Sequence, residues 1–201
     1  MITKLENRND YSNMFDLVTP LNKPIKDYHG HNIFFGGTVN SRWRDIIISD
    51  LVSHNYMTDG LRSHFTFYNP QIKDYNKLNQ EQLLTQKQWE INAINEANLV
   101  VLNIEKEGGA GTMFELGFAL KNMLVKPRRA LDILPRYIMV VCCHKDSKLY
   151  KDVRSICDIN DILFLTGSEE QILRNDCYTQ EKHMADLTNF IQDWILNKIY
   201  L

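Results

Sequence analysis

Apolar segments of strand length alternate with segments of helix length along residues 31–145, and this alternation strongly constrains the fold. Such alternation is typical of a parallel sheet, because parallel neighbours need crossover connections that helices supply. We therefore predict an α/β fold, a single Rossmann-like or flavodoxin-like domain with a parallel sheet flanked by helices. The predicted strands are 32–35, 64–68, 99–103, 137–143 and 162–165, and the predicted helices are 41–55, 80–97, 113–123 and 179–201.

The two ends of the chain differ in pattern. Residues 1–30 are polar, contain Pro20 and Pro24, and show no clear periodicity. We interpret them as an N-terminal arm that precedes the α/β domain of residues 31–201. The last helix carries an apolar stripe from Met184 to Trp194, which indicates either core packing or a dimer seam. With the arm, this stripe predicts a homodimer or larger homo-oligomer, since closed symmetric assemblies dominate.

Composition excludes several classes of partner. A net charge of −2 gives no general attraction to nucleic acid. The apolar runs are too short to cross a bilayer, and the polar start does not resemble a signal peptide. The four cysteines and six histidines lack metal-site spacing. The sequence therefore predicts a cytoplasmic protein with a small-molecule substrate, no cofactor, no metal, and no nucleic-acid or membrane partner.

A glycine-rich loop joins the strand 99–103 to the next helix. The segment 108–117 reads Gly-Gly-Ala-Gly-Thr-Met-Phe-Glu-Leu-Gly. Such a loop lets backbone N–H groups approach a phosphate or a sugar, and the following helix N-terminus adds further donors. Glu115 is expected in the first helical turn, beside the bound group. The alternative is a tight turn with a glutamate that favours the helix dipole.

A second small-residue loop follows the first strand of the domain. Ile33-Phe34-Phe35 leads into Gly36-Gly37-Thr38, and a helix begins soon after. Ligands of open α/β sheets bind at such carboxyl ends of strands, so the two loops predict one shared crevice. Arg42 and Arg44 are candidates for pairing with phosphate, or else they belong to a solvated helix face.

A third element, the predicted helix 80–97, is expected to lie beside the same crevice. Gln86, Trp89 and Glu90 lie in the predicted helix 80–97, which leads directly into the strand 99–103. Trp89 has the spacing of a core residue. Glu90 is either a surface glutamate or a second carboxylate at the crevice.

These motifs resemble those of the nucleoside 2-deoxyribosyltransferase-like proteins, which include deoxynucleoside 5′-monophosphate N-glycosidases. The resemblance covers roughly residues 31–145 and includes Asn69-Pro70, the Gln86-x-x-Trp89-Glu90 string and the Glu115-Leu116-Gly117 motif. It implies that Glu115 is the nucleophile on the anomeric carbon and that Glu90 acts at the base. Phe34 stands where the family usually has a tyrosine, and Tyr68 is a candidate to replace it.

The glycine loop is also similar to that of nucleotide phosphoribohydrolases that release cytokinin bases. Gly108, Gly109, Gly111, Thr112 and Glu115 match that loop. That family expects a proline before the first glycine and an arginine in the preceding helix, and this chain has neither. Both resemblances nevertheless imply cleavage of an N-glycosidic bond.

The sequence therefore predicts an enzyme that cleaves or transfers the N-glycosidic bond of a (deoxy)nucleoside or its 5′-monophosphate. A non-catalytic nucleotide sensor and an NAD glycohydrolase are the alternatives. Two carboxyl groups suit this chemistry, because one attacks the sugar while the other assists the departing base. The predicted catalytic residues are Glu115 and Glu90, and the predicted substrate-binding residues are Phe34, Gly36, Gly37, Thr38, Arg42, Arg44, Asn69, Trp89, Gly109, Gly111 and Thr112.

Overall fold

The computed structural model describes residues 15–20, 31–38, 42–53, 65–72, 75–107, 109–125, 138–166 and 176–199. The strands are β1 (Phe15–Val18), β2 (His31–Gly37), β3 (Phe65–Tyr68), β4 (Leu99–Ile104), β5 (Ile138–Cys143) and β6 (Leu163–Leu165). The helices are α1 (Trp43–Ser53), α2 (Gln80–Glu96), α3 (Ala110–Val125), α4 (Tyr150–Ile159) and α5 (Asp176–Ile199), and a short 3-10 turn spans Tyr75–Lys77. The strands form one parallel sheet in the order β1-β3-β2-β4-β5-β6. This confirms the predicted α/β fold.

Helices cover both faces of the sheet. In β2, Phe34 packs on the face that α2, α3 and α4 cover, whereas Ile33 and Phe35 pack on the face of α1 and α5. Both faces are buried, which explains why the strands read as continuous apolar runs instead of alternating ones. In the described part of the chain, none of the helices combines the length and the apolar character needed to span a membrane.

Two elements are absent from the sequence-based prediction. β1 pairs with β3, so the sheet begins within the segment interpreted as an arm. Its four residues are too few to establish a period. Helix α4 has an amphipathic pattern that the sequence-based prediction missed, since Val153 and Cys157 are buried on one face and Tyr150 and Ile156 pack beside them. The remaining parts of the predicted arm, 1–14 and 21–30, lie outside the described residues.

The closing helix α5 has a clear role in the core. Leu187, Ile191, Trp194 and Ile195 are buried against the sheet face that holds Phe35. Of the two interpretations of its apolar stripe, the structure supports core packing for these residues. The side chain of Met184 lies outside the described part, and the homo-oligomer stays a prediction.

The chain direction in the sheet creates a crevice between β2 and β4. The chain runs from β2 outward to β3 and then returns to β4 on the other side of β2. Ligands of doubly wound sheets bind outside the carboxyl ends of the strands at this kind of switch point. The glycine-containing end of β2 and the loop after β4 meet there, as the sequence predicts.

Close backbone contact fixes the end of β2 against β4. Gly37 has a φ of +112°, and a Cβ atom added to it would lie 2.0 Å from the carbonyl oxygen of Asn103. Only glycine fits this position without strain. The next residue, Thr38, donates its N–H to the same carbonyl at 2.9 Å, and its Oγ1 accepts from the N–H of Glu105 at 3.0 Å. The two strand ends are therefore held together at the mouth of the crevice.

Candidate active site

A cavity of about 300 Å³ opens at the carboxyl ends of β2 and β4. Its walls come from the β2 end, the segment after β3, helix α2, and the loop that leads into α3. The lining residues are Gly37, Thr38, Arg44, Pro70, Gln71, Tyr75, Asn76, Lys87, Glu90, Glu107, Gly109, Gly111, Thr112 and Glu115. Both predicted catalytic carboxylates therefore face one cavity.

Glu115 is fixed by the backbone of the neighbouring strand. It is the sixth residue of α3, so its predicted place in the first helical turn is wrong, because the helix begins at Ala110 and not near residue 113. From the second turn its Oε2 accepts a hydrogen bond from the N–H of Gly37 at 2.7 Å. A Cβ atom on Gly36 would lie 2.9 Å from that oxygen, so the two glycines make room for the carboxylate.

The surroundings of Glu115 change its acidity. The side chain is 5% exposed, and this burial raises the pKa of Glu115 to about 7. The positive charge of Arg44 lowers this pKa, as do the hydrogen bond from Gly37 and the charge of Lys87, whereas the negative charge of Glu90 raises it further. A carboxyl group that titrates near neutral pH in a cavity is typical of catalytic sites.

Arg44 organises the turn after β2. Its guanidinium donates to the carbonyl oxygens of Phe35 at 2.7 Å, Thr38 at 2.8 Å and Gly37 at 3.0 Å. Burial lowers the pKa of Arg44 to about 10, with the charge of Glu115 the strongest opposing effect, so it stays cationic at neutral pH. The structure thus gives Arg44 a part in holding the strand end, in addition to its place in the cavity lining.

Five other predicted binding residues do not contribute to the cavity lining. In the described part of the chain, the lining does not include Phe34, Gly36, Arg42, Asn69 or Trp89. Arg42 is exposed, and its phosphate contact stays a prediction. Phe34 is fully buried beside Tyr68 in the sheet register, and Tyr68 meets Trp89 edge-on at 6.1 Å between ring centroids. Asn69 shapes the segment after β3, since its Oδ1 accepts from the N–H of Gln71 at 3.1 Å.

Glu90 takes part in a short hydrogen-bonded chain on α2. Its Oε2 accepts from Lys87 Nζ at 2.6 Å, and its Oε1 accepts from Gln86 Nε2 at 2.9 Å. Gln86 also donates to the carbonyl oxygen of Pro70 at 2.9 Å, which ties α2 to the segment after β3. Residues three and four positions apart share a helix face, which explains why this group assembles.

The sequence analysis does not identify a second group of lining residues. Lys87 is the most informative of them, since its position three residues before Glu90 would place both on one helix face. The others lie on the short 3-10 turn or on irregular segments, for which the sequence offers no periodic signal: Gln71, Tyr75, Asn76 and Glu107.

The glycine loop contributes Gly109, Gly111 and Thr112 to the opposite wall, as predicted. Thr112 is buried at the start of α3, and its N–H reaches the carbonyl oxygen of Gly109 at 3.1 Å. Among the described residues, a Cβ atom on Gly109 or Gly111 would have no contact within 4 Å. Packing against the described part of the chain therefore does not require these glycines. Gly108 lies outside the described residues.

We expect Glu115→Gln to make the protein more stable at pH 8. Because folding raises the pKa of Glu115 from 4.5 to about 7, its stabilising contribution is complete below pH 4.5 and is lost as the pH rises through 7. Glutamine keeps an acceptor for Gly37 and carries no charge. Its advantage in the free energy of unfolding should reach up to about 3 kcal/mol at pH 8 and disappear near pH 4.5.

Chemical unfolding of both proteins across this pH range measures the difference. Glu96→Gln, on an exposed position of α2, provides the matched control and should show no such trend. An equal stability difference at pH 4.5 and pH 8 would contradict the raised pKa.

Comparison with known proteins supports the sequence-based resemblance. Residues 30–126 match the family model described as nucleoside 2-deoxyribosyltransferase like. The matched segment runs from just before β2 to just after α3, so it contains all the described residues that line the cavity. The match confirms the resemblance and indicates a deoxyribosyltransferase-like function of the glycosyl-transfer class. A comparison with curated protein sequences gives no match.

Proposed function

We propose that this protein cleaves or transfers the N-glycosidic bond of a nucleoside or a nucleoside 5′-monophosphate, with Glu115 as the nucleophile. One observation carries the proposal. The Glu115 carboxyl group is buried, is anchored to the N–H of Gly37, and shares a cavity with Glu90. The family match of residues 30–126 supports the same reaction class.

The chemistry follows from the two carboxyl groups. Displacement at the anomeric carbon passes through an oxocarbenium-like state, which a nearby carboxylate stabilises and then captures. Glu115 attacks this carbon while the bond to the base breaks and its electron pair leaves with the base. Glu90 assists on the base side. Water then releases the sugar in a hydrolase, and a second base releases it in a transferase.

The glycine wall, which is the part of the cavity formed by Gly109, Gly111 and Thr112, is suited to binding the sugar and a phosphate. Gly109, Gly111 and Thr112 lie at the N-terminus of α3, where the N–H groups of the first turn and the helix dipole favour an anion. Since the described residues leave space at both glycines, a ligand can approach the backbone closely. Thr38 and Gly37 face the same space from the end of β2. We therefore place the 5′ end of the substrate at this wall.

Release of free base tests the proposal directly. The protein is incubated with nucleosides, 2′-deoxynucleosides, their 5′-monophosphates and NAD, and the products are separated by chromatography. We expect base release from a nucleoside or its monophosphate, and base exchange when a second base is added if the enzyme is a transferase. Binding of nucleotides without any turnover would instead support a sensor, and release of nicotinamide alone would support an NAD glycohydrolase.

We expect kcat/KM for a nucleoside to rise with pH and level off above about pH 7. The nucleophile must be ionised, and burial raises the pKa of Glu115 to about 7. Below that value the rate should fall about tenfold for each pH unit. A nucleoside is the right substrate for this measurement because it lacks a titrating phosphate. A profile that stays flat from pH 5 to pH 8 would contradict the role of Glu115.

A further inference from the structure

Both oxygens of the Glu90 carboxyl group accept hydrogen bonds within the protein. Lys87 Nζ reaches Oε2 at 2.6 Å, and Gln86 Nε2 reaches Oε1 at 2.9 Å. Glu90 is only 4% exposed, and Gln86 is held in turn by the carbonyl oxygen of Pro70. In this arrangement Glu90 acts as an acceptor. Both of its oxygens are thus engaged with Lys87 and Gln86, and the N–H donor nearest to them on this wall is the Lys87 ammonium.

Lys87 is the cationic group that stays available on this side of the cavity. Among the described lining residues the cationic side chains are Arg44 and Lys87, and Arg44 uses its guanidinium on three backbone carbonyl oxygens. The ammonium of Lys87 has three N–H donors, of which Glu90 takes one. The side chain of Lys87 is 35% exposed, so its remaining donors can meet a ligand.

The environment of Lys87 keeps it charged. Burial alone would lower the pKa of Lys87, but the hydrogen bond to Glu90 and the charge of Glu90 outweigh this effect and raise it above the ordinary value of 10.5. The Nζ atom also lies 5.9 Å from the centre of the Tyr75 ring. Lys87 is therefore a poor proton donor and a stable hydrogen-bond donor at neutral pH.

The positions of the cavity walls indicate that Lys87 lies on the side that receives the base of a bound substrate. The glycines and the helix N-terminus form the wall suited to the sugar and phosphate, whereas Tyr75, Lys87 and Glu90 lie on the 3-10 turn and α2. The Tyr75 ring offers an aromatic surface on which a planar base can pack. A substrate with its anomeric carbon at Glu115 and its 5′ end at the glycine wall directs its base toward Lys87.

We propose that Lys87 is a catalytic residue that donates a hydrogen bond to the departing base, and that Glu90 and Gln86 position it. This inference rests on the proposed function. As the bond between the sugar and the base breaks, the electron pair moves to the base, and the Lys87 ammonium stabilises the negative charge that develops there without losing its proton. In hydrolysis, water later supplies the hydroxyl group to the sugar and the proton to the base.

Leaving-group dependence tests the role of Lys87. Lys87→Met should lower kcat about 10²-fold on a nucleoside with an unmodified base, the usual loss for one such donor. It should change kcat less than about fivefold on an N-alkylated counterpart, because that base leaves as a neutral molecule. 2′-Deoxyguanosine and 7-methyl-2′-deoxyguanosine form one such pair. Lys87→Arg should restore part of the activity on the unmodified base, since it keeps a cationic donor.

Lys121→Met is the matched control, because Lys121 is exposed on α3 and is not among the lining residues of the described chain. Thermal unfolding checks that each variant folds, and if Lys87→Met does not, Lys87→Leu, which also lacks a donor, gives the same comparison. An equal loss on both substrates would overturn the proposal and leave Lys87 a structural partner of Glu90, with the proposed function intact. Failure of the wild-type protein to release any base would overturn both.

Discussion

Glu115→Gln is expected to lower kcat by about 10⁴-fold or more while leaving the protein folded. Removal of a covalent nucleophile eliminates the whole reaction route, so the loss exceeds that of any supporting residue. Glutamine has nearly the shape of glutamate and can still accept the hydrogen bond from the N–H of Gly37 that holds Glu115 in place. The fold and substrate binding should therefore persist.

Steady-state assays of base release measure this effect, with Glu96→Gln as a control on an exposed helical position. Mass spectrometry of the wild-type protein, quenched during turnover, should show one added sugar group on the peptide that contains residue 115. Turnover of folded Glu115→Gln protein within about tenfold of the wild type would refute the nucleophile assignment.

Glu90→Gln is expected to lower kcat by about 10²-fold, the loss expected for Lys87→Met, because Glu90 acts on the leaving base through Lys87. The substitution removes the negative charge that holds Lys87 by a contact of 2.6 Å, and the donor on the base side loses its anchor. The loss should be largest on substrates whose bases are poor leaving groups. Unlike Glu115, Glu90 is not expected to form a covalent intermediate.

The matched control is Glu81→Gln, an exposed glutamate in the first turn of the same helix. The two variants are compared on substrates of differing leaving-group quality, and circular dichroism confirms that α2 remains helical. An equal loss across all substrates would show that Glu90 only positions the sugar or supports the fold. Combining the substitution with Lys87→Met should cost little more than either change alone, since both act through one pair.

The arrangement of the sheet could be predicted because its signals are local and repeated. β4 and β5 have six residues each and are apolar except for Asn103 in β4, and the helices α2 and α3, which have a clear period, precede them. The edge strand β1 has four residues, and its place beside β3 depends on a contact about 50 positions away in sequence. No local pattern carries that information.

The same distinction applies to the site. Glu115 and Gly37 belong to short motifs at strand ends, and the structure joins them by a hydrogen bond across 78 positions. The role of Arg44 could not be predicted, because its three carbonyl partners are defined only by the turn geometry after β2. Tyr75 lies on a three-residue 3-10 turn that has no periodic signature.

All described cavity residues fall between Gly37 and Glu115, in what we call the proximal half of the chain, whereas the elements of the distal half, β5, α4, β6 and α5, supply none of them. Mutational drift should therefore affect the two halves of the chain in different ways. Changes in the distal half should act mainly on how many molecules are folded in the cell. Changes in the proximal half should alter the activity and substrate preference of each folded molecule. During evolution, substitutions in the distal half should therefore be able to raise thermal stability without changing the substrate preference.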